Sequence, residues 1–363
     1  MTGYPFESDK FSEDGIKLVR GMNVKRGYLD FSEDICVKWN SCVGLENYLL
    51  KDGDILIQMD GALIGKSYAK IKKNQLPALL VQRVTRARTN NKLASQDFMY
   101  QTIQRDFLRY IGMNKTETAV PHLSLNDIRN FEIMVPGLAE QNKIGTYFSN
   151  LDRLITLHQR KCDEIKSLKK YMLQKMFPQN EQKVPEIRFK GFTEAWEQRK
   201  LGEVTQCLDS ERVPINSEER EKIPGEIPYY GAGNIQGYIN KFLFDEELVL
   251  LLEDGDAFDD FRTKEIAQYI CGKTWVNNHA HVLRPLGDAY FLYITLSHKD
   301  IRNWVQLAGA SRKKLVQKSM LNIELFMPHI IEQKKIGQYF SNLDHLITLH
   351  QQKCEELKKI KKF

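Results

Sequence analysis

The sequence has no long apolar run, because nowhere do the roughly 18 consecutive apolar residues of a membrane-spanning helix occur. Residues 1–10 also lack the basic and apolar regions of a secretory signal. The six cysteines form no CxxC pair and are too sparse to crosslink a chain of 363 residues. We therefore expect a cytoplasmic protein with reduced thiols.

Motifs that carry catalysis are missing as well. Gly61–Ser67 resembles a phosphate-binding loop, but three residues separate its glycines where that loop needs four. No HExxH motif, nucleophile elbow or glycine-rich cofactor loop occurs. The attractive cluster for an unrecognised active site consists of Asp254, Asp256, Asp259, His279 and His281. Because its acidic residues lack the spacing of a cation-binding loop, we interpret them as a polar turn and expect a noncatalytic chain.

Material for a folded core is present in ordinary amounts. Hydrophobic residues make up 42% of the chain and charged residues 28%, which is typical of soluble globular proteins. A length of 363 residues predicts two domains. The net charge of +6 is compatible with nucleic-acid binding, but residues 181–331 carry 23 acidic and 19 basic side chains. DNA contact in that region would therefore depend on local clusters such as Arg312–Lys314.

An internal repeat organises the chain. Residues 140–171 and 332–363 are identical at 23 of 32 positions, at a constant offset of 192. The match extends upstream, where residues 130–136 and 322–328 alternate as a strand ending in proline would. Farther upstream only short stretches match, such as 55–61 with 249–255. The repeat predicts a variable domain followed by a helix, and then the same pair again.

Both predicted helices carry apolar residues at heptad spacing. The predicted seam consists of Ile144, Phe148, Leu151, Ile155, His158 and Cys162 in the first helix, and of Ile336, Phe340, Leu343, Ile347, His350 and Cys354 in the second. A charged helix with one apolar stripe needs a partner, and the most economical partner is the other copy. The two His–Cys pairs could bind zinc if the helices crossed there, but we favour seam packing without a metal.

The repeated segments resemble the specificity subunits of type I restriction-modification systems. The resemblance rests on the pattern EQxKIGxYFSNLDxLITLHQxKC, which begins at Glu140 and at Glu332, and on residues 173–178 and 184–202 after the first helix. These segments cover the helical framework. Looser matches in the variable domains are Gly53–Leu56, Pro228–Ala232 and Asn278–His281.

The resemblance implies an α+β fold with two target recognition domains. Two long helices would separate the domains and form an antiparallel coiled coil with pseudo-twofold symmetry. The expected boundaries are residues 1–139 for target recognition domain 1, 140–178 for the first spacer helix, 179–331 for target recognition domain 2 and 332–363 for the second spacer helix. Only 14 residues precede Gly15, whereas 46 separate Pro178 from Gly225, so we expect domain 1 to be N-terminally shortened.

The resemblance also implies a function in DNA recognition. Such a chain reads a bipartite double-stranded DNA target and docks two methyltransferase subunits and two restriction/translocase subunits. Adenosylmethionine, ATP and Mg would then belong to the partner subunits, and this chain would bind no cofactor. The alternative is a coiled-coil protein-interaction scaffold without direct DNA contact.

Base-edge recognition needs donors and acceptors on short loops, with Arg for guanine and Asn or Gln for adenine. In the first domain this criterion selects Arg20, Asn23, Lys66, Ser67, Gln82 and Arg83 as DNA-binding candidates. In the second it selects Tyr230, Asn234, Asn278, His279, Arg312, Lys313 and Lys314.

Overall fold

The structure is a computed structural model that describes residues 1–61, 67–114, 122–179, 182–231, 233–297, 299–308 and 312–362. The chain divides into unit 1, which comprises Met1–Thr156 with Leu357–Phe363, and unit 2, which comprises Leu157–Glu356. None of the helices in these ranges combines the length and the apolar character that a bilayer crossing requires.

Unit 1 contains two small sheets followed by helices. Its strands are β1 (Ile16–Val19), β2 (Lys38–Trp39), β3 (Ile55–Gln58), β4 (Tyr68–Lys70), β5 (Ala78–Leu80) and β6 (Val84–Ala87). Its helices are α1 (Gln96–Thr102), which continues through a π-helical turn, α2 (Leu108–Asn114), α3 (Leu125–Arg129) and the first part of α4 (Leu138–Lys175). One sheet has the order β2-β1-β5 and the other the order β4-β3-β6. Leu56 of β3 packs in one core with Val19 and Leu80 of the first sheet, whereas Ile55 and Ile57 pack in another core with α1. Both faces of β3 are therefore buried, as a central strand requires.

Unit 2 repeats this plan with longer elements. Its strands are β7 (Glu197–Lys200), β8 (Thr205–Cys207), β9 (Pro224–Tyr230), β10 (Ile235–Ile239), β11 (Phe244–Asp245), β12 (Leu248–Leu252), β13 (Ala267–Ile270), β14 (Lys273–Val276), β15 (Ala280–Pro285), β16 (Gln306–Ala308), β17 (Arg312–Lys314) and β18 (Glu324–Met327). Its helices are α5 (Leu201–Val204), α6 (Ser217–Glu221), α7 (Ala289–Ser297), α8 (Gln317–Met320) and most of α9 (Ile330–Lys362). The main sheets have the orders β10-β9-β14-β11 and β13-β12-β15-β8.

The two units share a strand arrangement that their sequences barely reveal. In unit 1, β1 runs parallel to β5, and β3 lies antiparallel between β4 and β6. In unit 2, β9 runs parallel to β14, and β12 lies antiparallel between β13 and β15. The duplication therefore extends through both domains, and the predicted α+β class is confirmed.

Within unit 2, α4 and α9 run antiparallel. The Lys169 ammonium lies 2.7 Å from the Asp344 carboxylate, and the Nδ1 atoms of His158 and His350 lie 2.8 Å apart. Residues later in α4 thus contact residues earlier in α9. This confirms the predicted antiparallel pairing. Unit 1 contains the equivalent ion pair, in which Lys361 lies 2.5 Å from Asp152 at the offset of the repeat.

Seam side chains are buried to different degrees in the two helices. Buried seam residues are Leu151, Cys162, Ile336, Phe340, Leu343, Ile347 and Cys354, whereas Ile144, Phe148, Ile155, His158 and His350 are half-buried. Cys162 and Cys354 are both buried in the seam, and neither forms a disulfide. Both cysteines therefore pack as small apolar residues.

A strand precedes only one of the long helices. Before α9, β18 pairs antiparallel with β7, as predicted from the alternating residues 322–328. Before α4, residues 131–137 are described but form no strand, so that prediction was wrong. The reason is that β7 has no counterpart among the described strands of unit 1, and a strand requires an edge with which to pair.

The glycine in the repeated Lys-Ile-Gly sequence allows a shorter helix to approach each long helix closely. A Cβ atom on Gly145 would lie 2.7 Å from the backbone nitrogen of Phe98, at the start of α1. A Cβ atom on Gly337 would lie 2.1 Å from an Asp288 carboxylate oxygen, which caps α7. The repeat therefore keeps glycine where a shorter helix packs against the longer one.

Candidate nucleic-acid interface

In unit 1, Gln82 and Arg83 form the tight connection between β5 and β6. Arg83 has a φ of +67°, a backbone conformation that costs a non-glycine residue of order 1 kcal/mol and is often found at functional sites. Its side chain is 73% exposed, and its Nε lies 3.2 Å from the Asp60 carboxylate at the end of β3. Gln82 is exposed beside it. The connection thus presents two hydrogen-bonding side chains to solvent.

Arg20 belongs to the same surface. Arg20, Gln82 and Arg83 line one cavity of about 420 Å³ together with Asp60 and aromatic side chains that include Phe11. The Arg20 guanidinium lies 5.6 Å from the Phe11 ring centroid and donates a 2.7 Å hydrogen bond to the Ile35 carbonyl. These contacts hold Arg20 at the cavity wall. The structure therefore brings three of the predicted DNA-binding residues together.

Two other candidates of the first domain are buried in this structure. Asn23 is fully buried, where its carboxamide accepts a 2.9 Å hydrogen bond from the Arg20 backbone and donates one of 2.9 Å to the Asp30 carbonyl. Ser67 is only 1% exposed. Each side chain therefore lies beneath the surface of the domain, away from the exposed turn of Gln82 and Arg83. Lys66 lies outside the described residues.

In unit 2, Asn278 and His279 occupy the positions that correspond to Gln82 and Arg83. The backbone identifies the correspondence, because Met59 donates to the Arg83 carbonyl at 2.9 Å and Glu253 donates to the His279 carbonyl at 3.2 Å. Asn278 is exposed and His279 is partly exposed.

Each turn also contains the same kind of acid–base pair. Asp254 lies 3.3 Å from His279 Nδ1, as Asp60 lies 3.2 Å from the Arg83 guanidinium. Sequence reasoning missed these two aspartates as members of the site. The aligned Asp-Gly pairs that follow β3 and β12 were the available signal.

The two lysines of the basic cluster in the second domain are paired with acidic neighbours. Lys313 forms an ion pair with Asp259, and Lys314 lies 3.0 Å from Glu253, which also binds Arg212 at 2.7 Å. Burial raises the pKa of Glu253, but hydrogen bonds from Arg212 and Lys314 lower it by more, so that it lies below its usual value. The Glu253 charge therefore persists at neutral pH and offsets the lysine. Of the third predicted residue here, Arg312, the structure describes only the backbone, in β17.

Tyr230 and Asn234 flank the turn between β9 and β10. Tyr230 is half-buried against the domain core. Its burial, and to a smaller extent the neighbouring Tyr238, raise the pKa of its hydroxyl. Asn234 is exposed, and its carbonyl accepts a 2.9 Å hydrogen bond from Gly231. Asn234 therefore remains available to a ligand, whereas the ring of Tyr230 contributes mainly to packing.

His281 has a structural environment. The side chain is buried, with Nδ1 2.5 Å from the Asp209 carboxylate and Nε2 2.7 Å from the Leu315 carbonyl. With both ring nitrogens engaged, His281 can neither activate a nucleophile nor transfer a proton to a substrate. Of the cluster considered for an active site, Asp254 pairs with His279, Asp259 pairs with Lys313 and His281 pairs with Asp209, so these members lie in separate ion pairs.

Residues 4–167 and 193–359 both match the family described as the type I restriction modification DNA specificity domain. The chain belongs to this family. A Haemophilus influenzae protein named as a type I restriction enzyme specificity subunit is 34% identical over 154 residues, which are 42% of this chain and 38% of that protein. The chain thus spans well under half of that relative. The MjaVIII specificity subunit of Methanocaldococcus jannaschii is 21% identical over 99% of this chain and 83% of its own length.

The fold of the specificity-domain family also occurs among solved structures. The crystal structure of the type I restriction-modification S subunit from Mycoplasma genitalium aligns with 100% of this chain and 91% of its own, with a TM-score of 0.69 at 16% identity. This likeness concerns the fold alone. Together with the tandem family match, it confirms the family resemblance and the fold class predicted from the sequence.

Proposed function

We propose that the chain is the DNA sequence-recognition subunit of a type I restriction-modification complex, with each domain reading one half of a bipartite target. The supporting observation is the equivalence of the two turns. Gln82 and Arg83 in unit 1 and Asn278 and His279 in unit 2 leave the same point of the same strand arrangement. Two equivalent surfaces with different side chains suit the reading of two different half-sites.

The side chains on these turns have the chemistry of base recognition. Arginine binds the O6 and N7 atoms of guanine through two donors, and Gln or Asn binds the N6 and N7 atoms of adenine. Asp60 holds the Arg83 guanidinium from one side, which reduces the side-chain entropy that Arg83 would lose on binding. We therefore assign Arg83 and Asn278 as the leading base contacts of their domains.

In the proposed complex the chain itself is noncatalytic. Two methyltransferase subunits and two restriction/translocase subunits would bind to it, and those partners would bind adenosylmethionine, ATP and Mg. The family match supports this assignment, since the relatives are named as specificity subunits. The alternative, a scaffold without DNA contact, predicts that the assembled complex binds duplex DNA no more strongly with this chain than without it.

The experiment measures base preference in each half-site separately. A complex with methyltransferase subunits is incubated with duplexes randomised in one half-site at a time. Arg83→Gln should weaken discrimination about 5- to 150-fold at positions of one half-site, and Asn278→Ala should do so in the other half-site. Each variant removes donors from one turn only.

Arg160→Gln is the matched control for lost charge, because Arg160 lies on the exposed face of α4 and pairs with Glu164. It should leave base preference unchanged in both half-sites. The proposal fails if Arg83→Gln and Asn278→Ala alter the same half-site, or if neither changes preference in a complex that still binds DNA.

A further inference from the structure

In unit 1, the Asp60 carboxylate lies between two basic side chains. One of its oxygens lies 3.2 Å from Nε of Arg83, and the other accepts a hydrogen bond from Nδ1 of His122. Asp60 is partly buried, whereas the side chains of Arg83 and His122 are both exposed. Asp60 therefore connects the turn that carries Arg83 to a separate segment of the chain, which contains His122.

Backbone hydrogen bonds hold this arrangement at the end of β3. Met59 donates to the Arg83 carbonyl at 2.9 Å, and the Met59 carbonyl accepts a 2.8 Å hydrogen bond from Leu123. His122 itself forms an isolated antiparallel bridge with Asp60. The three side chains thus leave from backbone segments that are bonded to one another, so the fold brings His122 and Arg83 to the same carboxylate.

Unit 2 also has a basic residue at this point. Lys314 forms an isolated antiparallel bridge with Asp254, and Leu315 donates to the Glu253 carbonyl at 2.8 Å. Lys314 therefore corresponds to His122. The Lys314 ammonium lies 3.0 Å from the Glu253 carboxylate. In both units, a basic side chain at this position binds an acidic residue that directly follows the central strand.

The chain of contacts from His122 to Arg83 affects what Arg83 can present to DNA. An exposed ion pair of a long side chain is weak, because holding it in one geometry costs side-chain entropy. His122 has a short side chain on bonded backbone, so its hydrogen bond can orient the Asp60 carboxylate at a lower entropic cost. Asp60 then engages the Nε edge of Arg83, which leaves the two terminal nitrogens for the acceptors of guanine.

We propose that His122 is a positioning residue for base recognition by unit 1, which acts through Asp60 to hold the Arg83 guanidinium in its reading orientation. This inference rests on the function proposed above and adds to the half-site a residue that contacts no base. The competing role for His122 is a direct contact from Nε2 to a DNA phosphate. A phosphate contact would change the affinity for all sequences alike, whereas a positioning role changes the preference for one base pair.

The test uses the complex with methyltransferase subunits and duplexes randomised in one half-site at a time. His122→Phe keeps a ring but removes the donor to Asp60. It should reduce discrimination about 2- to 10-fold at the position that Arg83→Gln also affects, because Arg83 must then be ordered on binding. The other half-site should keep its preference, which also shows that the variant is folded. In an Arg83→Gln background, His122→Phe should have no further effect on base preference.

Rescue by a conservative variant separates positioning from packing. His122→Asn should restore most of the discrimination, because the amide nitrogen of Asn lies the same number of bonds from the backbone as Nδ1 and donates as it does. His345→Phe is the matched control, since His345 is exposed on α9, and it should leave both half-sites unchanged. In the free full-length chain, the NMR order parameter of Arg83 Nε should fall with His122→Phe and recover with His122→Asn.

Three results would overturn the proposal. The first is weaker binding to all sequences with a smaller salt dependence and an unchanged base preference, which indicates a phosphate contact by His122. The second is a loss of discrimination that His122→Asn does not restore. The third is unchanged discrimination in His122→Phe while Arg83→Gln changes it, which refutes this inference alone. If Arg83→Gln changes no preference either, the assignment of Arg83 as a base contact fails as well.

Discussion

The buried ion pair between Arg188 and Glu332 allows a sharp test of the packing in unit 2. Glu332 is completely buried, and Arg188 donates two hydrogen bonds to it and one of 2.6 Å to the Glu194 carbonyl. Glu332→Gln keeps the size of the side chain but removes the negative charge and one acceptor. The Arg188 guanidinium then remains in place without a counter-charge.

The expected loss follows from the geometry. Removing one partner of a buried ion pair typically costs 3–5 kcal/mol. Arg188 also lines a cavity of about 470 Å³ through which water can reach the guanidinium, so we expect the lower cost of about 2–4 kcal/mol in the free energy of unfolding. Glu140→Gln is the matched control, since Glu140 has the same place in the repeat but is exposed. It should change stability by about 0.5 kcal/mol or less.

Urea unfolding followed by tryptophan fluorescence is a suitable assay, because Trp196, Trp275 and Trp304 all lie in unit 2. The double variant Arg188→Leu with Glu332→Leu should recover part of the loss, since no charge remains unpaired. If Glu332→Gln were as stable as Glu140→Gln, the ion pair would not support unit 2 and the reasoning would be refuted.

Two further perturbations test the core of each unit. Burial raises the pKa of Asp209, but the hydrogen bond and charge of His281 lower this pKa by more. Ionised Asp209 therefore contributes stability above about pH 4, and this stability is lost as the pH falls through the depressed pKa. Asp209→Asn should therefore destabilise unit 2 at pH 7 and flatten the stability profile below about pH 5, and an unchanged profile would contradict this. Gly145→Ala should destabilise unit 1 by about 1–3 kcal/mol, because the added methyl would meet the Phe98 backbone and outweigh the gain in helix propensity. Thr146→Ala, on the exposed face of the same helix, should be neutral in the same thermal melt, and equal effects would contradict the packing.

The candidate DNA-contact residues are harder to predict from the sequence than the long helices are. The helical repeat keeps one offset of 192, so the pairing of Lys169 with Asp344 and of Lys361 with Asp152 could be anticipated in outline. The strands and turns do not keep that offset, because Arg83 corresponds to His279 at a separation of 196. Because the loops between the strands differ in length, the sequence alignment does not show that Arg83 corresponds to His279.

Whether an individual polar residue is available to a ligand depends on its burial, which no local sequence pattern predicts. Asn23 has the chemistry of a base contact, yet it satisfies the backbone of Arg20 and Asp30 below the surface. Lys313 and Lys314 form a basic pair in the sequence, but acidic residues from a distant turn neutralise them. A polar residue on a loop either stabilises the fold or binds a ligand. Only its tertiary contacts distinguish these two roles.

The sequence by itself determined the duplication, the two long helices and their apolar seam, because heptad spacing and repeated residues are local properties of the chain. The tertiary structure alone decided which copy of a repeated residue is buried. Glu332 is paired and enclosed while Glu140 is exposed, although both begin the same motif. The physical reason is that burial and strand pairing require a partner segment, and that partner is contributed by residues distant in the sequence.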